Sequence, residues 1–100
     1  MSFVENKMVN AAGRMGQLIA TDAYLDGQGH LVLRTRQDGE RFTCGAVRTL
    51  GKFEHAFGYW VARCKLPAEP GHWPAFWLMC PGVVQVGNDG RDGTEIDVAE

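Results

Sequence analysis

Apolar and polar residues alternate along this chain in short runs with a period of two, and no stretch carries the 3.6-residue period of a helix. Residues 31–36 are rich in branched apolar residues and alternate, which predicts a strand. A short strand is expected over 17–20 and a longer one over 42–49. The latter contains Gly45, where a bulge or a close backbone approach is expected. Residues 59–66 alternate cleanly, with Trp60, Ala62, Cys64 and Leu66 on one face and Tyr59, Val61, Arg63 and Lys65 on the other. Residues 73–80 are apolar on both faces, as in a central sandwich strand.

Turn chemistry separates these runs. Asp26-Gly27 with Gly29, and then Asp38-Gly39, mark turns between strands. Residues 50–56 read as a connection, 67–71 as a Pro/Gly loop, and Pro81-Gly82 as a strand end. Residues 82–94, with Asn88-Asp89-Gly90, read as a long loop, and residues 10–16 as another. Residues 1–20 are poorly patterned, so the expected domain spans 21–100. Short strands at this rhythm predict an all-β sandwich.

The last stretch, Gly93-Thr94-Glu95-Ile96-Asp97-Val98-Ala99-Glu100, sets three carboxylates within six residues. In a strand, Glu95, Asp97 and Ala99 share one face, and Thr94, Ile96 and Val98 the other. Strict alternation puts Glu100 on the apolar face, where an unpaired carboxylate is costly. One extra residue, a β-bulge around Val98-Ala99, returns it to the side of Glu95 and Asp97. Two carboxyl groups are the minimum machinery for cleaving a glycosidic bond, and the middle acid is suited to hold a proton or a hydrogen bond between them. Glu95 and Glu100 are then four strand steps apart, roughly 13 Å at ~3.3 Å per residue. A retaining glycosidase holds its carboxyls ~5–5.5 Å apart, so the reading requires a concave strand. The same spacing also suits a solvated acidic edge strand.

Length, charge and cysteines narrow the classes. One hundred residues allow one small domain, and a net charge of −2 with no basic patch points away from nucleic acid. The longest apolar runs, such as Ala75-Phe76-Trp77-Leu78-Met79-Cys80, fall far short of the ~20 residues that span a bilayer. The first seven residues lack the layout of a signal peptide. Cys44, Cys64 and Cys80 have no C-x-x-C spacing and read as buried or half-buried free thiols. His30, His55 and His72 are scattered, so no metal site is expected. The chain stops at Glu100 inside an expected strand, and the sequence reads as a fragment. Half a sandwich leaves inner faces and edges uncovered, so these residues alone are expected to be inactive.

Four segments together resemble glycoside hydrolase family 16: Thr43-Cys44-Gly45 with Thr49; Phe57-Gly58-Tyr59 with Ala62-Arg63 and Lys65-Leu66-Pro67; Gly71-His72-Trp73-Pro74-Ala75-Phe76-Trp77-Leu78; and the terminal E-x-D-x-x-E. The likeness covers about residues 24–100, and the pairing of the last two motifs is highly specific. It implies a concanavalin A-like β-jelly roll, incomplete here, with a cleft on the concave sheet and a retaining mechanism through a covalent glycosyl-enzyme. By this resemblance Glu95 matches the nucleophile, Glu100 the general acid/base and Asp97 the assisting acid. Trp73 and Trp77 match tryptophans that line the cleft, where an indole face stacks on a pyranose, although either could instead fill the core. Arg63 is assigned either to sugar contact or to plain surface.

The longer motif resembles the laminarinase-like branch, as against the E-x-D-x-E form of lichenases and plant transglycosylases. β-1,3-Glucan is therefore the expected substrate, cut internally, though agarases and carrageenases share the longer motif. No cofactor is expected; a structural calcium is possible but not indicated. The resemblance implies a polysaccharide substrate and, by family habit, extracellular action, while no nucleic-acid or membrane partner is expected and the complete protein is expected to be a monomer. Ala46 replaces an arginine that often follows the glycine matched by Gly45, and Val61 replaces a glutamate; both departures bear on subsites. A sugar-binding module without catalysis and a transglycosylase are the competing functions.

Overall fold

The computed structural model describes residues 2–3, 7–9, 15–84 and 93–100. Ten short strands and two 3-10 turns occur among them, and no α-helix. The chain divides into two compact units, Met1–His55 and Ala56–Glu100.

In the first unit, β2 (Lys7–Val9), β3 (Met15–Leu18), β7 (Arg41–Cys44) and β6 (Thr35–Asp38) form a sheet in that order. β3 runs parallel to β7, and the other two pairs are antiparallel. β4 (Ala23–Leu25) and β5 (Leu31–Leu33) form a hairpin, and β1 (Ser2–Phe3) pairs with β8 (Val47–Arg48). Both turns read from Asp-Gly are present. Asp38 pairs with Arg41 across Gly39-Glu40, and Gly39 has a φ of 62°, which a residue with a Cβ rarely adopts. The Asp26 turn is closed by its own side chain: Oδ1 accepts the backbone N–H of Gln28 at 2.7 Å and of His30 at 3.1 Å, and Oδ2 lies 2.6 Å from His30 Nδ1.

The packed centre of this unit is small and partly polar. Leu18 and Ala23 are buried beside Asp22 and Thr43. A 3-10 turn, Ala20–Asp22, delivers Asp22 inward between β3 and β4. Its backbone oxygen accepts the Arg34 N–H at 2.7 Å, and the Arg34 oxygen accepts the Gly45 N–H at 3.0 Å. These two bonds account for two departures from the expected elements. The run over 31–36 is split into β5 and β6 at Arg34, and the run over 42–49 is split into β7 and β8 after Cys44. In both places the backbone turns from its ladder to bond another segment. The expected close approach at Gly45 is present, against the Asp22 backbone.

Other expectations are corrected. Met15 and Gly16, read as loop, lie in β3, and the strand expected over 17–20 gives way to the 3-10 turn at Ala20. Residues 59–66 form no strand, and Val61 and Leu66 are exposed. Alternation signals one buried face, but a strand also needs a hydrogen-bonded neighbour, and none pairs with these residues among those described. The strand expected over 73–80 is confined to β9 (Phe76–Met79). Pro74 has no N–H to give a ladder and restricts the residue before it. Cys64, expected buried or half-buried, is exposed, whereas Cys44 and Cys80 are half-buried; no disulfide joins these three described cysteines. The loop expected over 82–94 is entered through a 3-10 turn, Pro81–Val84, and residues 85–92, with Asn88-Asp89-Gly90, lie outside the described residues, as do residues 10–14.

Candidate active site

The three carboxylates belong to the second unit, on β10 (Glu95–Ala99) and the residue after it. β10 pairs antiparallel with β9, so the acid motif lies against the tryptophan segment. The pair is tied at its open end, where the Cys80 N–H donates to the Thr94 oxygen at 3.1 Å and the Thr94 N–H donates to Cys80 Sγ at 3.3 Å.

The register decides which side chains share a face. Glu95 stands opposite Met79, Ile96 opposite Leu78 and Asp97 opposite Trp77. The next pair is Ala99 with Phe76, so Val98 is an extra residue and the ladder shifts between Asp97 and Ala99. This is the bulge expected from the costly placement of Glu100. Directly opposed residues share a face. Glu95, Asp97, Trp77 and Met79 therefore line one face, and Ile96, Ala99, Leu78 and Phe76 the other. Phe76 and Leu78 are the more covered residues of β9, while Trp77 and Met79 are exposed.

Beyond the bulge, Glu100 returns to the face of Asp97 and Trp77. Trp73 Nε1 donates to Glu100 Oε1 at 2.7 Å, which brings the first tryptophan to the same acid face. This face presents two exposed indoles and three exposed carboxylates. That set supplies an apolar platform, hydrogen-bond acceptors and groups able to attack or to carry a proton.

Arg63 lies apart from this cluster in sequence, in the stretch without a ladder, and its side chain is exposed. The face it was expected to share with Tyr59 and Lys65 does not exist as a strand face. Among the described residues, no three His, Cys, Asp or Glu side chains are gathered to hold a metal ion.

The sequence reading missed a second charged cluster, in the first unit. Asp22 is fully buried, and its Oδ1 accepts from Arg34 Nε at 3.1 Å, Arg34 Nη2 at 2.9 Å and Arg36 Nε at 2.8 Å. The Arg34 guanidinium also lies 5.4 Å from the centre of the Tyr24 ring. Asp22 Oδ2 and Thr43 Oγ1 are buried without a hydrogen bond of good geometry. Burial pushes the Asp22 carboxyl up, but the neighbouring Thr43 hydroxyl, the Arg34 hydrogen bonds and the two guanidinium charges outweigh it and hold it below its ordinary value. Two arginines spaced by two, Arg34 and Arg36, were the available signal for a shared acidic partner. Asp22 Oδ1 is shared by both arginines, and the carboxylate thereby ties the Ala20–Asp22 turn to Arg34 and to β6, a structural role.

Comparison with known proteins bears on the other cluster. A family model described as glycosyl hydrolases family 16 matches residues 11–100. An endo-1,3-1,4-beta-glycanase, EglC, of Rhizobium meliloti (strain 1021) is 35% identical over 68 residues, covering 68% of this chain and 13% of the relative. A second from that strain, ExsH, is 36% identical over 63 residues, 63% of this chain and 12% of the relative. A beta-glucanase of Rhodothermus marinus is 30% identical over 77 residues, 74% of this chain and 27% of the relative. The chain thus spans between about an eighth and about a quarter of the length of these relatives. No solved structure matches significantly. With nine-tenths of its residues matched, acid motif included, the chain belongs to glycosyl hydrolases family 16.

Proposed function

We propose that the catalytic domain to which this chain contributes hydrolyses internal β-glycosidic bonds of a β-glucan with retention of configuration. The observation that carries the reading is the bulge at Val98, which aligns Glu100 with Glu95 and Asp97 on the tryptophan-bearing face. An acidic edge strand that only blocks aggregation has no need of that realignment.

In the scheme, Glu95 attacks the anomeric carbon while Glu100 gives its proton to the leaving glycosidic oxygen. The carbon–oxygen bond to the leaving sugar breaks as the bond to Glu95 forms. Water then attacks the same carbon, Glu100 takes its proton, and Glu95 is released as a carboxylate. Asp97 stands between the two on the strand and assists. Trp77 supports the sugar ring from across the ladder. Arg63 is offered for contact with sugar hydroxyls at a more distant subsite. No cofactor enters the scheme. The proposed setting is a monomer acting on extracellular polysaccharide.

β-1,3-Glucan is the proposed substrate because the E-x-D-x-x-E form is that of the laminarinase-like branch. A mixed β-1,3-1,4-glucan is the second reading, favoured by the names of two relatives. The test is reducing-end release from β-1,3-glucan, mixed-linkage glucan, agarose and carrageenan by a complete family 16 domain carrying these residues. The Glu95→Gln variant serves as control. Release from a β-glucan that the variant loses is the expected result. Undiminished release by the variant removes Glu95 from the mechanism. Binding of oligosaccharide without new reducing ends selects a sugar-binding module, and products longer than the substrate select a transglycosylase.

A further inference from the structure

We propose that Trp73 is a positioning residue for Glu100, its indole N–H holding one carboxylate oxygen so that the other faces the glycosidic oxygen with the proton. The inference rests on the reading of Glu100 as general acid/base and assigns to Trp73 a task other than stacking.

The contact is short. Nε1 to Oε1 is 2.7 Å, at the tight end of N–H···O bonds and in the range found when the acceptor is charged. An indole N–H can only donate. The oxygen it faces therefore stays an acceptor in both protonation states, and the acid's proton resides on Oε2. A carboxyl held this way does not turn over to present the wrong oxygen.

The need for such a holder follows from the local backbone. Glu100 follows the bulge, where the register of β10 shifts between Asp97 and Ala99. Its side chain is exposed and has three rotatable bonds, so fixing it costs entropy. Pro74 biases the Trp73 backbone toward extended forms, and the indole has two side-chain torsions against the three of Glu100. Among the described residues, the charged groups sharing this face are Asp97 and Glu95 on the same strand, and His72 precedes Trp73 in sequence; the facing strand β9 brings Trp77 and Met79.

In the first step the O–H bond of Glu100 breaks and its proton goes to the leaving oxygen, while the Trp73 N–H bond stays intact. In the second step the proton from water returns to Oε2.

The experiment uses a complete family 16 domain carrying these residues and two replacements of Trp73. Trp73→Phe keeps an aromatic face without the N–H. Site-specific incorporation of benzothienylalanine keeps the bicyclic shape, with sulfur in place of the N–H. Each is assayed on the glucan, whose leaving group needs protonation, and on a dinitrophenyl β-oligoglucoside, whose leaving group does not. General acid–base catalysis contributes about 10²–10⁴-fold. Loss of positioning is expected to lower kcat on the glucan by about 10- to 100-fold, with KM little changed. On the dinitrophenyl substrate, kcat/KM should change by less than about threefold, because the covalent intermediate forms there without acid help.

Equal losses on both substrates, or a rise in KM with kcat unchanged, would make Trp73 a stacking platform only and overturn the proposal. Full activity of the benzothienylalanine protein on the glucan would do the same. If the unsubstituted domain itself turns over neither substrate, the reading of Glu100 fails first, a result distinct from any of these.

Discussion

The backbone of Asp22 occupies the space that a Cβ on Gly45 would take. Built on the Gly45 backbone, such an atom overlaps the Asp22 carbonyl oxygen, lies 2.5 Å from its carbon and 3.0 Å from Ala23 N. The obstacle is main chain, which cannot swing aside as a side chain does. The same approach carries the Arg34-to-Asp22 and Gly45-to-Arg34 backbone bonds.

Gly45→Ala is therefore expected to destabilise the chain by about 1–3 kcal/mol, the usual cost of overpacking a site that must shift. Urea unfolding followed by far-ultraviolet circular dichroism measures it. An unchanged midpoint would mean that the two segments separate freely in solution.

Asp22 couples stability to pH. Its folded-state pKa lies below the ordinary 3.8, so the unfolded chain binds the proton first as pH falls. Its contribution to stability is complete above 3.8 and is lost as pH falls through the folded value. Asp26 acts in the same direction, held down chiefly by the Gln28 N–H and then by His30. Asp22→Asn should flatten part of the acid limb of a plot of urea midpoint against pH. It should also lower the midpoint at neutral pH, because both arginines lose their charged partner. Arg36→Met should cost about 1.5–3 kcal/mol, the range for hydrogen bonds to charged groups. The lower end is expected, since Arg36 is half in solvent and its charge is screened there.

These particulars show what the sequence made legible. The Asp-Gly turns, the tight approach at Gly45 and the bulge before Glu100 were readable because each is a local conflict with one resolution: a backbone conformation, a missing Cβ, a carboxylate facing the wrong way. The all-β class followed from the period of two, and the jelly roll is the fold of the family. Residues 59–66 were misread because alternation reports a preference for a face and says nothing about a neighbour. Asp22 was missed because its partners lie 12 and 14 residues away, on the far side of a hairpin. The hydrogen bond between Trp73 and Glu100 spans 27 residues and depends on the β9–β10 register, which no local pattern contains.

The cysteines should separate in a thiol-modification experiment. Cys64 is exposed, whereas Cys44 is half-buried and its thiol is pushed up, first by burial and then by the Asp22 charge. Modification of the folded chain should label Cys64 first and Cys44 much later, as peptide mapping by mass spectrometry would reveal. At high pH the raised Cys44 value works against the fold. The unfolded thiol ionises from its ordinary 9.0 upward before the folded one does, so this contribution to stability declines as pH rises above 9.0. Cys44→Ala should remove that decline. Rapid labelling of Cys44 at neutral pH would show that β7 opens readily.

The bulge gives an asymmetric prediction about chain length at the acid motif. Val98 is the extra residue, and it is about half exposed, so its removal takes little from a core. Without it, Ala99 still falls opposite Phe76, and the glutamate after it stays on the face of Asp97 because alternation is now unbroken. That spacing is the E-x-D-x-E of the other branch of the family. Deletion of Val98 should therefore keep the acids aligned and leave measurable glucanase activity in a complete domain. Insertion of one alanine after Ala99 moves Glu100 to the Ile96 face and breaks its bond with Trp73. Loss of the general acid is expected to lower kcat on glucan by about 10²–10⁴-fold, with the Trp73 indole N–H signal shifting in a nuclear magnetic resonance spectrum. Comparable activity of both length variants would show that Glu100 reaches the substrate without regard to the strand face, and would remove the bulge from the argument for catalysis.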